Sequence, residues 1–272
     1  MRRCLPPLLR LSFAISGTGR TIISPGSARN MSSTIEAREA KRAVRKEIKA
    51  RLSALSSEAV AAQSRIAQDI VKSLPQYQQA TRLGIYLSMP NAEAQTDLLV
   101  RDALETGKSV FVPYLYSIAD PQAKSGKAKA MDMLRLRSVA DYEALGRDSW
   151  GIPSLSHISV AERENAMAGC GISLDADSAK GKGDDEGGLD LIVVPGVAFD
   201  AEMGRLGHGA GFYDKFLDRL RDGGWRKKPF LVGLCLAEQA LPNGQILMQE
   251  HDRRVDAVAV GDGRLLRPEH AS

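Results

Sequence analysis

Hydrophobic positions change period along this chain, and the change marks out its elements. Between Ala37 and Leu55 the run AREAKRAVRKEIKARLSAL sets Val44, Ile48, Leu52 and Leu55 three or four residues apart among charged residues, which predicts an amphipathic helix of strong helix formers. Ser56 and Ser57, followed by Glu58, offer cap chemistry for a second helix that runs to about Ser73 before Pro75 stops it. Beyond it the helical period gives way to short apolar runs: LGIYLSM at 83–89, SVFVP at 109–113, LDLIVVP at 189–195, FLVGLCL at 230–236 and VDAVAV at 255–260. QTDLLVRDALETG, between the first two, predicts a helix ending at Gly107, and a stretch rich in Arg, Asp and Leu from about Ala210 to Arg221 predicts another.

Near-continuous apolar strands alternating with helices indicate an α/β protein, a single three-layer domain with a mostly parallel central sheet flanked by helices. Two stretches interrupt that order. Residues 118–130 (IADPQAKSGKAKA) are polar and turn-rich, and residues 157–188 include SAKGKGDDEGG; both read as loop insertions, the second disordered at its centre. The domain is expected to span 36–265, with residues 1–35 outside the fold and a short tail at 266–272.

Composition narrows the functional classes. With 43% hydrophobic residues in 272, the chain can bury a full core, yet its apolar runs fall far short of the ~20 residues of a membrane-spanning helix. The formal charge of +4 invites a nucleic-acid reading, but Arg2, Arg3, Arg10, Arg20 and Arg29 lie in the first thirty residues, ahead of the first acid, Glu36. Setting these five aside from 37 basic residues leaves 32 against 33 acidic ones, so no basic footprint for nucleic acid remains. The Arg-, Ser- and small-residue-rich start resembles a mitochondrial presequence. An untargeted tail, or a cytoplasmic product begun at Met31, would explain the same residues. Cys4, Cys170 and Cys235 are widely spaced with no CxxC pair, and the four histidines form no HExxH, which argues against a disulfide framework and a zinc site.

The segment Leu189 to Leu220, LDLIVVPGVAFDAEMGRLGHGAGFYDKFLDRL, carries the candidate chemistry. A buried strand ends at Pro195-Gly196, and Gly204, Gly207, Gly209 and Gly211 follow just before a helix. In open α/β sheets, ligands bind beyond the carboxyl ends of the strands. Such glycines let backbone N–H groups converge on an anion near a helix N-terminus. A flexible turn would use the same glycines. Arg205 within the loop, His208 between two glycines, and Phe212-Tyr213-Asp214 at the helix start favour nucleotide phosphates, with a carboxylate available to magnesium. Thr106-Gly107-Lys108-Ser109 mimics the end of a P-loop, but position 102 is Asp and a strand follows, so it is set aside.

GRLGHGAGFYD after LIVVPGVAFD resembles the signature of the 5-formyltetrahydrofolate cyclo-ligases, also called 5,10-methenyltetrahydrofolate synthetases. Further agreement comes from the early basic helix, the YLSM strand followed by Glu93 and Thr96, the segment Ser149-Trp150-Gly151-Ile152-Pro153, and HDRRVDAVAV near the end. The resemblance implies an α/β domain that converts 5-formyltetrahydrofolate, with or without a polyglutamate tail, and ATP to 5,10-methenyltetrahydrofolate, ADP and phosphate, using Mg2+ and acting as a monomer. It implies ATP contacts at Lys41, Arg42, Arg45 and the loop residues Arg205, Leu206, Gly207, His208, Gly209, Ala210, Gly211, Phe212 and Tyr213. Tyr213 and Arg205 would be catalytic. Asp214 and Asp252 would hold the metal, with Asp256 a nearby acid of open role, and Met89, Glu93, Trp150, His208 and Phe212 would contact the folate. Ala210 stands where other members carry lysine and His208 where some carry arginine, so this loop is less charged than in those relatives. An ATP-dependent transferase or kinase for another small molecule, and a non-catalytic folate-binding protein, are the competing readings.

Overall fold

The structure, a computed structural model, describes residues 25–90, 93–120, 125–172, 187–223 and 227–268, with side chains from Glu36 onward. The chain divides into two units, Met1–Arg38 and Glu39–Ser272. The described part of the first is the start of helix α1, Pro25–Ser53. All that follows concerns the second unit.

After α1 come α2 (Ser57–Ser73), α3 (Pro75–Gln79), β1 (Arg82–Ile85), α4 (Asp97–Glu105), β2 (Ser109–Ala119), β3 (Lys127–Leu136) and α5 (Val139–Glu143). The short strands β4 (Gly146–Arg147) and β5 (Pro153–Ser154) form a tight hairpin. Then follow β6 (Leu191–Val194), β7 (Ala198–Asp200), β8 (Arg205–Leu206), α6 (Phe212–Asp222), β9 (Phe230–Cys235), β10 (Ala240–Leu241), β11 (Ala257–Val260) and β12 (Leu265–Leu266). The main sheet has the order β12-β11-β9-β6-β1-β2-β3. Its inner pairings are parallel, and only β12 and β3 run antiparallel, one at each edge.

Period-two alternation on doubly buried strands divides the core. Leu191 and Val193 face one side, with Ile48 of α1, Val60 and Val71 of α2 and Leu99 of α4. Ile192 and Val194 face the other, with Phe199 and with Phe216 and Leu220 of α6. Helices thus cover both faces, which is the three-layer arrangement expected from the apolar runs. The Ser56 hydroxyl accepts from the Ala59 amide and caps α2. No side chain of its own caps α4; instead Gln68, buried in the inner stripe of α2, accepts from the Leu99 amide at 2.8 Å. Gly107 (φ 77°) follows α4 in the left-handed region where glycine is favoured.

The insertions need correction. Residues 118–119 and 127–130 are not loop: β2 and β3 form a ten-pair antiparallel ladder from Val110↔Leu136 to Ala119↔Lys127. Its outer half lies beyond the core and alternates between intermediate and exposed residues, so backbone pairing rather than apolar burial defines it. Residues 160–167 are also packed. The buried Arg163 guanidinium makes two 2.7 Å hydrogen bonds to the Asp141 carboxylate, and Ala166 and Met167 enter the core. The expected disorder at the centre of the second insertion falls largely on residues 173–186, outside the described residues. Among the described residues, no helix is long and apolar enough to cross a membrane.

Candidate active site

The glycine loop starts from a braced platform. After β6 the chain enters a small sheet of order β10-β7-β8, where Phe199 of β7 is fully buried. A Cβ on Gly233 would come within 2.5 Å of this ring, and one on Gly196 within 2.7 Å. Both glycines therefore let the ring lie against bare backbone. Asp200, 1% exposed, clamps the next turn: its Oδ1 accepts from the Gly204 amide at 2.8 Å and its Oδ2 from the Ile246 amide at 3.1 Å. Two segments that carry site residues thus share one carboxylate. Gly209 (φ 101°) and Gly211 (φ 68°) adopt left-handed backbone. Gly211 is the N-cap of α6 and supplies no side-chain cap, so the positive end of the helix dipole faces the loop.

Charged groups converge on this loop from three directions. From α1, Arg45 donates through Nε to the Gly207 carbonyl at 2.8 Å, and its guanidinium lies beside Gly209. Lys41, one turn earlier, pairs with Asp252 and donates to Gln249 Oε1 at 3.2 Å. From the loop, buried Arg205 pairs with Asp214 at 2.7 Å and lies 5.8 Å from the centre of the Tyr213 ring. From the segment before β11, the Arg253 amide donates to Asp214 Oδ1 at 3.2 Å and the Gln249 amide to Asp252 Oδ2 at 2.7 Å. Desolvation and then the charge of Arg45 hold His208 below the usual histidine range. Burial also lowers Arg45, against the opposing pull of Asp252.

Two buried polar groups lie behind the loop. Glu93 is 5% exposed and accepts from the Met89 amide at 2.8 Å. Burial pushes its carboxyl up to about 7, against that hydrogen bond. The Tyr213 hydroxyl oxygen is shut off from solvent and has no hydrogen-bond partner among the described residues. Burial first, then the charge of Glu93, raise this phenol, with Arg205 opposing. That coupling ties the start of α6 to the chain beyond β1, 120 residues away. A buried, unpartnered hydroxyl is uncommon and offers a hydrogen bond to a ligand.

The expected site residues divide accordingly. Lys41, Arg45, Arg205, Gly207, Gly209, Tyr213, Asp214 and Asp252 are gathered by direct contacts, and Glu93 by its coupling to Tyr213. Leu206 is buried within β8, Met89, Gly211 and Phe212 are half-buried, and Arg42, His208 and Ala210 are exposed. Trp150 is 70% exposed. It stands at the tip of the β4–β5 hairpin, whose turn is held by Asp148 Oδ1 accepting from the Trp150 and Ile152 amides. A Cβ on the neighbouring Gly151 would come within 3.2 Å of Pro90, which puts the hairpin beside the Met89 segment. Asp256 accepts from the Leu231 amide at 2.8 Å, at the amino ends of β9 and β11 and thus at the opposite end of the sheet from the loop. Sequence reasoning missed Asp200, Gln249 and Arg253. The only hint lay in HDRRVD, where Arg253 adjoins Asp252.

Among the described residues, no three His, Cys, Asp or Glu side chains converge as a metal cage. The backbone next to Asp252 reaches Asp214, whose Oδ1 accepts from the Arg253 amide at 3.2 Å. Each uses one oxygen for its principal cation and backbone amide. Such a donor set fits Mg2+, which commonly takes one or two carboxylates and fills its remaining positions with phosphate and water.

Comparison with known proteins gives the family. A sequence model of the 5-formyltetrahydrofolate cyclo-ligase family matches residues 37–261. A 5-formyltetrahydrofolate cyclo-ligase of Mus musculus is 35% identical over 224 residues, covering 82% of this chain and 94% of the mouse protein. A mitochondrial 5-formyltetrahydrofolate cyclo-ligase of Arabidopsis thaliana is 27% identical, covering 92% of this chain and 85% of its own length. The NMR structure of a 5,10-methenyltetrahydrofolate synthetase from Aquifex aeolicus superposes with a TM-score of 0.57 at 24% identity, covering 85% of this chain and 94% of that one. That last likeness concerns the fold.

Proposed function

Because the chain belongs to the 5-formyltetrahydrofolate cyclo-ligase family, we propose that it is an enzyme converting 5-formyltetrahydrofolate and ATP to 5,10-methenyltetrahydrofolate, ADP and phosphate, with Mg2+ as cofactor. The formyl oxygen attacks the γ-phosphorus, the bond from that phosphorus to the β,γ-bridging oxygen breaks, and ADP leaves. N10 then attacks the activated formyl carbon, the carbon–oxygen bond breaks, phosphate departs with the electron pair, and the N10 proton passes to solvent. Phosphorylation makes an amide-like oxygen a competent leaving group, so the protein's task is positioning and charge neutralisation.

The observation that supports this reading best is that the glycine loop leads directly into the buried Tyr213 hydroxyl, which feels the charge of Glu93. Loop amides and Arg45, Arg42 and Lys41 receive the polyphosphate. Arg205 neutralises the transferring phosphoryl group, and the Tyr213 hydroxyl orients the formyl oxygen. Asp214 and Asp252 hold the magnesium, whose chemistry when bound is neutralisation of charge on the β- and γ-phosphates. Glu93 pairs with donor groups of the pterin, while Met89, Phe212, Trp150 and His208 border the folate, with or without a polyglutamate tail. The protein acts as a monomer. Residues 1–30 direct it to the mitochondrial matrix, in keeping with their presequence-like composition and the mitochondrial relative; a product begun at Met31 remains in the cytoplasm.

The test is to mix the purified chain with 5-formyltetrahydrofolate and Mg·ATP and follow the near-ultraviolet band of the methenyl product. Growth of that band only when ATP is present, with equal ADP release, is expected. ATP consumption that ignores 5-formyltetrahydrofolate but responds to another acceptor would contradict the assignment.

A further inference from the structure

Both carboxylates assigned to the metal are paired with cations assigned to the phosphates. Arg205 Nη2 lies 2.7 Å from Asp214 Oδ1, and Lys41 Nζ is paired with Asp252 Oδ2. The two arrangements differ in how firmly the cation is tied elsewhere. Arg205 also donates to the Pro195 carbonyl at 3.3 Å and stacks near Tyr213. Among the described residues, Lys41 has Gln249 Oε1, at 3.2 Å, besides Asp252. Gln249 in turn donates its amide to the same Asp252 oxygen. Lys41 can therefore turn away while Asp252 keeps a hydrogen bond.

We propose that the Lys41–Asp252 pair makes this site select the metal–nucleotide complex over either component alone, a proposal that rests on the functional reading above. The lysine ammonium is the carboxylate's built-in counter-ion. Free Mg2+ must displace it and leave an ammonium without its partner. Metal-free ATP must draw the ammonium away and leave a nearly buried carboxylate, 14% exposed, without its cation. Each loses a charge-assisted interaction for the one it gains. Mg·ATP satisfies both groups at once, as Lys41 passes to phosphate oxygens and Asp252 to the metal. The two components then bind cooperatively, and each raises the affinity of the site for the other by the same factor.

Two variants of the full-length chain separate this from an ordinary structural ion pair. Isothermal titration calorimetry with MgCl2 alone, with ATP in excess chelator, and with Mg·ATP gives three affinities for each protein. Lys41→Met is expected to bind Mg2+ alone more tightly than wild type, on the order of tenfold, the size of one charge-assisted hydrogen bond, while Mg·ATP binds more weakly. Asp252→Asn is expected to bind metal-free ATP more tightly, again on the order of tenfold, although it has lost a metal ligand and binds Mg·ATP more weakly. If one variant does not fold, the other carries the same change of sign. Weakening of all three affinities in the folded variants, or no gain for the single components, would overturn the exchange. Failure of wild type to bind Mg·ATP at all would remove the underlying functional reading as well, and is distinguished by that control.

Discussion

Replacing Glu93 by glutamine probes its burial quantitatively. Burial holds this carboxyl at about 7, up from an ordinary 4.5. Between those values the folded chain keeps a proton that the unfolded chain has released, so this group lowers stability progressively as pH rises through the window. The full cost is present above pH 7. At about 1.4 kcal/mol per pH unit between the two values, it amounts to about 3 kcal/mol. Glutamine keeps an oxygen for the Met89 amide, which now donates to Glu93 at 2.8 Å, fills the same space and cannot ionise. Urea unfolding should therefore show Glu93→Gln more stable than wild type by about 1 kcal/mol at about pH 5 and by about 3 kcal/mol at about pH 8. At both pH values kcat/KM for the folate should fall, because the acceptor for the pterin is weakened. A stability difference that does not change between the two pH values would refute the buried-carboxyl argument.

Two further substitutions address neighbouring parts of the site. Tyr213→Phe removes a buried hydroxyl with no partner among the described residues, so it should raise stability by about 1 kcal/mol, about 2–4 °C in Tm, while turnover drops at least roughly tenfold, the loss of one hydrogen bond to the reacting oxygen; a stabilised variant of full activity would mean that the ring only packs. Asp200→Asn leaves an acceptor for Gly204 but turns an NH2 group toward the Ile246 amide that Oδ2 now receives. It should cost about 1–3 kcal/mol in denaturant unfolding and raise KM for ATP more than KM for the folate, whereas equal changes in both would show no special link to the phosphate loop.

How legible the molecule was from its sequence depended on what kind of force held each part. β1, β6, β9 and β11 are buried on both faces, and such strands write themselves as unbroken apolar runs. The outer arms of β2 and β3 are held by a backbone ladder along which side chains alternate between half-buried and exposed, and apolar patterning is silent about backbone pairing. Arg163 and Asn165 read as loop residues because nothing in local sequence announces that Asp141 and Asp132 will meet them inside. In the site, the glycine loop stood out because left-handed backbone at Gly209 and Gly211 restricts residue choice. The Lys41–Asp252 pair spans 211 positions, and nothing around Asp200 in the sequence announces its two amide contacts. Long-range pairing of charge belongs to the fold, and a single sequence records only the residues that take part in it.

The central claim is that the formyl oxygen becomes a phosphate oxygen on this protein. Incubating the full-length chain with Mg·ATP and 5-formyltetrahydrofolate labelled with oxygen-18 in the formyl group, then weighing the released phosphate by mass spectrometry, tests it directly. One heavy oxygen in each phosphate, appearing in step with the methenyl product, is the predicted result. Unlabelled phosphate, or labelled oxygen lost to water while the methenyl product forms, would contradict it.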